Sequence, residues 1–229
     1  EDTGMKRLQS ALMASASIIL ASSPAHATLF DRGGGLIYDD LLNITWLQDA
    51  NYAMTSGYDA NGLMEWDDAM TWADTLVYGG YSDWRLPTVV PQNFDNGFDG
   101  TTGFGYNITT GSEMGHLYYA ELGNLGRYDT SGVELSGWGL ANASPFTNLQ
   151  PYAYWSGNEH ASNTFFAWAF NFNDGAQAVG NKTHSAFYAT AVRSGDVAAA
   201  SVPEPGTIML MASGIAGLVA VRKRLLRRK

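Results

Sequence analysis

Residues 166–175 read Phe166-Ala167-Trp168-Ala169-Phe170-Asn171-Phe172-Asn173-Asp174-Gly175. Large aromatics alternate with smaller residues at a period of two. On an extended strand Phe166, Trp168, Phe170 and Phe172 therefore point one way and Ala167, Ala169 and Asn171 the other. Asn173-Asp174-Gly175 follows with the residues a tight hairpin turn requires, so the strand folds back at once and predicts antiparallel pairing. Working outward, Phe187 to Arg193 reads as the last strand. Leu36-Ile37-Tyr38 and Asn43-Ile44-Thr45-Trp46 read as two short strands around Asp39-Asp40. Between these lie two helical patterns. In residues 65–78, Trp66, Ala69, Met70, Ala73, Leu76 and Val77 share one apolar face, with Gly79-Gly80 as the stop. Ser112 can cap a second helix, in which Met114, Leu117, Tyr118 and Leu122 share a face and Gly123 ends the run. Residues 91–111 and 126–151 are loop-rich. The order predicts an α+β fold, a single compact domain with an antiparallel sheet and two helices.

The ends differ from the middle. Met5, Lys6 and Arg7 open a basic start, residues 8–21 are apolar and small, and Ala25-His26-Ala27 is an A-x-A cleavage pattern. Residues 5–27 therefore read as a secretory signal peptide, cut after Ala25 and Ala27 have been recognised. Residues 28–197 form the globular region and 198–206 a small-residue linker ending in Val202-Pro203-Glu204-Pro205-Gly206. Residues 207–221 are apolar, about 22 Å long as a helix and somewhat short of a bilayer core of about 30 Å. Six basic residues follow within 222–229. They predict a transmembrane sorting helix with a cytoplasmic tail and the domain on the outer side.

The whole chain carries 13 basic and 22 acidic residues, a net charge of −9. Two of the basic residues sit in the leader and six in the tail. Residues 28–206 keep five basic and 20 acidic residues, a formal charge of −15. Such a surface repels nucleic acid and sulfated polysaccharide and favours cations. The absence of cysteine excludes disulfides, zinc–thiolate sites and thiol nucleophiles.

Val202-Pro203-Glu204-Pro205-Gly206, the apolar run and the terminal basic cluster together resemble the PEP-CTERM sorting signal. The resemblance implies recognition by an exosortase, transient residence in the inner membrane of a Gram-negative bacterium, and delivery to the outer surface or the biofilm matrix. Pro203 and Pro205 keep the segment extended beside the membrane.

In the middle, Gly35 to Trp46, the helix with Trp66, Gly79-Gly80-Tyr81-Ser82-Asp83-Trp84-Arg85-Leu86-Pro87-Thr88, Tyr154-Trp155-Ser156-Gly157 and Ala189 to Arg193 resemble the Lcl C-terminal domain family, named for a collagen-like adhesin. That implies a C-type-lectin-like fold whose first and last strands bring the ends together, and binding to extracellular polysaccharide. The chain has no collagen-like repeat. The DWRLP turn is also similar to one in formylglycine-generating enzymes, whose chemistry needs cysteines this chain lacks.

Arg85 reads as a clamp for an acidic or sugar ligand or, more plainly, as the group that fixes its own turn. Trp138, Tyr152 and Tyr154 offer flat faces that stack on sugar rings, or they are core aromatics; Trp155 reads as core. Asn93, Asp95, Asn96 and Asp99 are spaced oxygen donors that suit Ca²⁺, or Asx turns in a solvated loop. His116, His160 and His184 show no metal-ligand spacing, and no nucleophile elbow is present. Three functions follow in order. The first is a non-enzymatic carbohydrate-binding or adhesion module, the second a structural acidic matrix protein holding divalent cations loosely. The third is a hydrolase with an unrecognised site.

Overall fold

The computed structural model describes residues 28–89, 97–98 and 108–197. The expected signal peptide with Ala25 and Ala27, the loop residues Asn93, Asp95, Asn96 and Asp99, the motif Val202 to Gly206 and the helix 207–221 lie outside the described residues. No helix among the described residues is long and apolar enough to cross a membrane.

The chain forms two antiparallel sheets where the sequence predicted one. Strands β1 (Leu29–Gly33), β2 (Leu36–Asp39), β3 (Ile44–Leu47) and β7 (Val192–Ser194) make a four-stranded sheet in the order β1-β2-β3-β7. Strands β4 (Ala153–Glu159), β5 (Phe166–Asn171) and β6 (Ala176–Asn181) make the second, in sequence order. The segment expected as one final strand serves both. Phe187 pairs with Met64 and Tyr188 with Tyr154, before β7 joins β3. This crossing segment splits the pairing into two sheets.

Strands β2, β3, β4 and β5 bury residues on both faces, so their side chains alternate between two cores. Leu36, Leu47, Trp155, Ala169 and Ala191 face one, together with helix α2 (Trp66–Thr75). Ile37, Trp46, Tyr154, Phe170 and Val192 face the other. That second core is closed by the short helix α3 (Glu113–His116) and the π-helical turn Leu117–Glu121 that continues it. The period-two pattern of Phe166–Phe172 thus has a buried side for each register. The small side is needed because Trp66 and Trp155 fill the α2 core, and their indole N–H groups donate to Ser156 O and Met64 O at 2.8 and 2.9 Å.

Two helix expectations change. α2 ends at Thr75, since Leu76 is extended (ψ 128°) and turns inward. Val77 therefore leaves the predicted apolar face and is 71% exposed. Gly79 and Gly80, both at positive φ, form the turn that pairs Tyr78 with Tyr81 instead of capping the helix. A further short helix, α1 (Tyr52–Thr55), was not predicted. The second predicted helix begins as expected, with Ser112 Oγ accepting from Gly115 N–H at 3.0 Å. Met114, Leu117, Tyr118 and Leu122 are all buried. Its second half widens, however, and Leu122 N–H donates to Leu117 O at 2.9 Å, a five-residue step.

Candidate functional site

On the α2 side of the β4-β5-β6 sheet the large side chains stop and leave an open groove of about 210 Å³. Its floor is Ala153, Ala169, Asn171 and Ala178, and its walls are Tyr152 and Phe187. The strand register explains the floor. Ala153 pairs with Asn171, and Ala169 with Ala178, which sets small residues side by side across three strands. Asn171 Oδ1 accepts from Asn173 N–H at 3.0 Å, which orients its amide. Phe187 lies against Trp155 with ring centroids 4.4 Å apart. That contact requires a glycine beneath it, because a Cβ on Gly180 would come within 2.5 Å of the Phe187 ring and 2.6 Å of Trp155. Tyr152 meets Phe187 and Tyr188 edge-on at 6.1 and 6.0 Å and is 48% exposed.

Of the predicted aromatic platforms, only Tyr152 lines this groove. Tyr154 is fully buried, burial pushes its phenol pKa up, and its oxygen accepts from Gln150 N–H at 2.9 Å. It packs on Phe172 and Tyr188 and is a core residue, as Trp155 is. The sequence could not separate Tyr152 from Tyr154, because two residues along a strand share a face, yet Tyr152 precedes β4 and keeps only its carbonyl in the pairing, accepting from Phe172 N–H at 2.9 Å. Trp138 is half-buried under the Arg127 guanidinium, 5.4 Å from its ring centroid. It is not part of the groove.

Arg85 is not a free ligand clamp. Its Nη1 and Nη2 each donate to the Glu113 carboxylate at 2.8 Å, and Nη1 also donates to Leu86 O at 3.1 Å. The other cations of residues 28–197 are equally engaged. Arg32 pairs with Asp196, Arg127 with Glu134, Lys182 with Glu159 and Arg193 with Asp83. The Arg193 guanidinium holds the Asp83 carboxyl below its ordinary range. All five basic residues of this region thus face a carboxylate.

Metal-type donors converge elsewhere. Asp39, His116 and Glu121 bring one ligand atom each within 4.8 Å of one another. Asp39 ends β2 and is fully buried, and the side chains of His116 and Glu121 are 6% and 1% exposed. His116 Nε2 lies 3.2 Å from Glu121 Oε1. Burial raises the pKa of the Asp39 carboxyl, opposed by the Leu42 N–H, while the nearby Glu121 carboxylate raises it further. Sequence spacing gave no sign of this group, since Asp39 lies far from the helix in sequence. His116 and Glu121, five residues apart, would fall about 140° apart around a regular α-helix. The π turn removes that separation.

Residues 201–224 match the PEP-CTERM protein-sorting motif. The chain thus carries the address of an exported protein recognised by an exosortase and processed at the membrane. No curated protein and no solved structure matches the chain.

Proposed function

We propose that residues 28–197 form a non-enzymatic carbohydrate-binding or adhesion module, displayed at the cell surface or in the matrix after exosortase handling, with neutral extracellular polysaccharide as its partner. The observation that carries this reading is the groove between Tyr152 and Phe187. An exposed phenol ring beside a floor of alanines matches the flat C–H face of a pyranose, and Asn171 adds a polar contact at the floor. About 210 Å³ suits one sugar ring and is below the range of about 300–1,000 Å³ typical of sites for larger ligands. The pairing of all five cations favours a neutral glycan over a sulfated or phosphorylated one. The resemblance of the GGYSDWRLPT block and its companions to the Lcl C-terminal family points the same way.

The test is a glycan array with the full chain, followed by titration of any hit against Tyr152→Ala and Ala178→Leu. Leucine at 178 fills the floor and leaves residue 152 unchanged. Neutral glycans should bind, and each variant should weaken binding at least about tenfold, the loss expected when a stacking face worth about 1.4 kcal/mol is removed or covered. Silence across neutral polysaccharides, including those of the producing organism, would sink the proposal.

A further inference from the structure

We infer that Asp39, His116 and Glu121 form a structural binding site for a divalent transition-metal ion of the zinc class, clasping the β2–β3 turn to the π turn. Two observations carry it independently of the groove.

The first is a carboxylate oxygen that no hydrogen bond of normal geometry satisfies. Asp39 Oδ1 accepts from Leu42 N–H at 2.9 Å; Oδ2 is buried in a residue that is 0% exposed, and the nearby Trp46 indole N–H favours the charge without making a bond of normal geometry. A buried carboxylate oxygen is costly unless a donor or a cation answers it. The second is geometry. A tetrahedral ion with bonds of about 2.1 Å places its donors about 3.4 Å apart. The His116–Glu121 pair is already at 3.2 Å, and all three donors lie within 4.8 Å.

The backbone around the site is fitted to the cluster. The π turn that puts Glu121 beside His116 replaces a regular helix, a distortion that recurs at functional sites. Gly115 allows the carbonyl of Ile108 to press on the helix next to His116, where a Cβ would lie 2.0 Å from that oxygen. The donor set chooses the metal. Calcium and magnesium take all-oxygen shells, and an imidazole among carboxylates suits zinc and its neighbours. Three protein donors leave the fourth position of a tetrahedral ion to a water, and because Asp39 is fully buried and the His116 and Glu121 side chains are at most 6% exposed, such a water would be enclosed and the ion would serve to hold the turns together.

The test uses the full chain, stripped with chelator, incubated with Zn²⁺ and dialysed, with metal counted by elemental analysis and Tm read with and without EDTA. One equivalent should remain, and a zinc concentration about 100-fold above Kd should raise Tm by about 5–10 °C. Asp39→Asn keeps an acceptor for Leu42 N–H; Asp39→Asn and Glu121→Gln should each weaken zinc binding at least tenfold. His184→Gln, on the exposed surface, should change nothing. If either ligand variant does not fold, Co²⁺ loaded into the wild-type chain decides. Intense visible bands of a four-coordinate site support the inference, and the weak spectrum of a hydrated ion overturns it. Wild type retaining less than a tenth of an equivalent, or both folded ligand variants retaining a full one, also overturns it.

Discussion

Replacing Glu113 with alanine removes the acceptor that closes the DWRLPT turn. Glu113 accepts from Arg85 twice at 2.8 Å and from Thr88 N–H at 2.6 Å, and it does so from the first turn of α3. The carboxylate side chain is 14% exposed and the guanidinium side chain 35%. Breaking a fully buried pair costs about 3–5 kcal/mol, and an exposed pair contributes about 0–1 kcal/mol. This pair lies between. Arg85 keeps Leu86 O and reaches water, and the exposed Thr88 N–H can be rehydrated, so Glu113→Ala should cost about 2 kcal/mol. Arg85→Ala should cost about the same or slightly more, because it strands the less exposed partner. Both substitutions delete the same bonds. The double variant should therefore cost about 3 kcal/mol, leaving a coupling of at least about 1 kcal/mol. Urea unfolding followed by tryptophan fluorescence measures all four corners of the cycle, with unchanged m-values as the control for two-state behaviour. Additivity within about 0.3 kcal/mol would refute the claim that the pair holds the turn. A different refutation is an Arg85→Ala variant that keeps its stability but loses glycan binding, which would restore Arg85 as a ligand residue.

Gly180→Ala should destabilise the domain by about 1–3 kcal/mol, because the new methyl group meets two packed rings, and the loss should appear as a lowered urea midpoint. If that midpoint stays put, Phe187 is not held as described. Asp174 titrates with an opposite sign to most paired carboxylates. Burial raises its pKa, with the Ala176 N–H only partly opposing this. The folded state therefore holds the proton more tightly than the unfolded chain, and this group's contribution falls as pH rises from about 3.8 through the raised folded value. Asp174→Asn, which keeps an acceptor for Ala176 N–H, should gain stability relative to wild type at pH 7 and gain nothing near pH 3. Equal differences at both pH values would contradict the burial argument.

What the sequence made legible was the local pattern. The alternation in Phe166–Phe172, the turn residues after it and the cap at Ser112 are short-range signals, and each corresponds to an element of the fold. The position of α2 follows from its apolar face, although Leu76 turning into the core ended it earlier than the glycines implied. Non-local facts were hidden. Strand β1, with the burial pattern of an edge strand, carries too little hydrophobic periodicity to be recognised. Strand β6 reads Ala-Gln-Ala-Val-Gly-Asn with little hydrophobic alternation, and its Gly180 makes sense only once Phe187 and Trp155 lie over it. At the sites, Tyr152 and Tyr154 look equivalent in sequence and differ by a strand boundary. The convergence of Asp39 on His116 and Glu121 depends on a tertiary contact and on a helix irregularity that no spacing rule anticipates.

Leu29, Asp39, Ile44 and Ser194 lie in one row across the four-stranded sheet, so the chain enters and leaves the domain at the same end. In a molecule tethered beyond residue 197 and tugged through whatever its groove grips, tension enters at Val197 and meets a short clasp before it reaches any strand. That clasp is Arg32 gripping Asp196, Gly195 N–H on Asn43 O, and Thr45 Oγ1 on Gly195 O. The leading strand lies on the far edge of the same sheet, away from the pulled end. Through Arg32 it is nonetheless recruited as an anchor for the trailing end, so tension at residue 197 is shared by both edges of the sheet before β7 begins to peel.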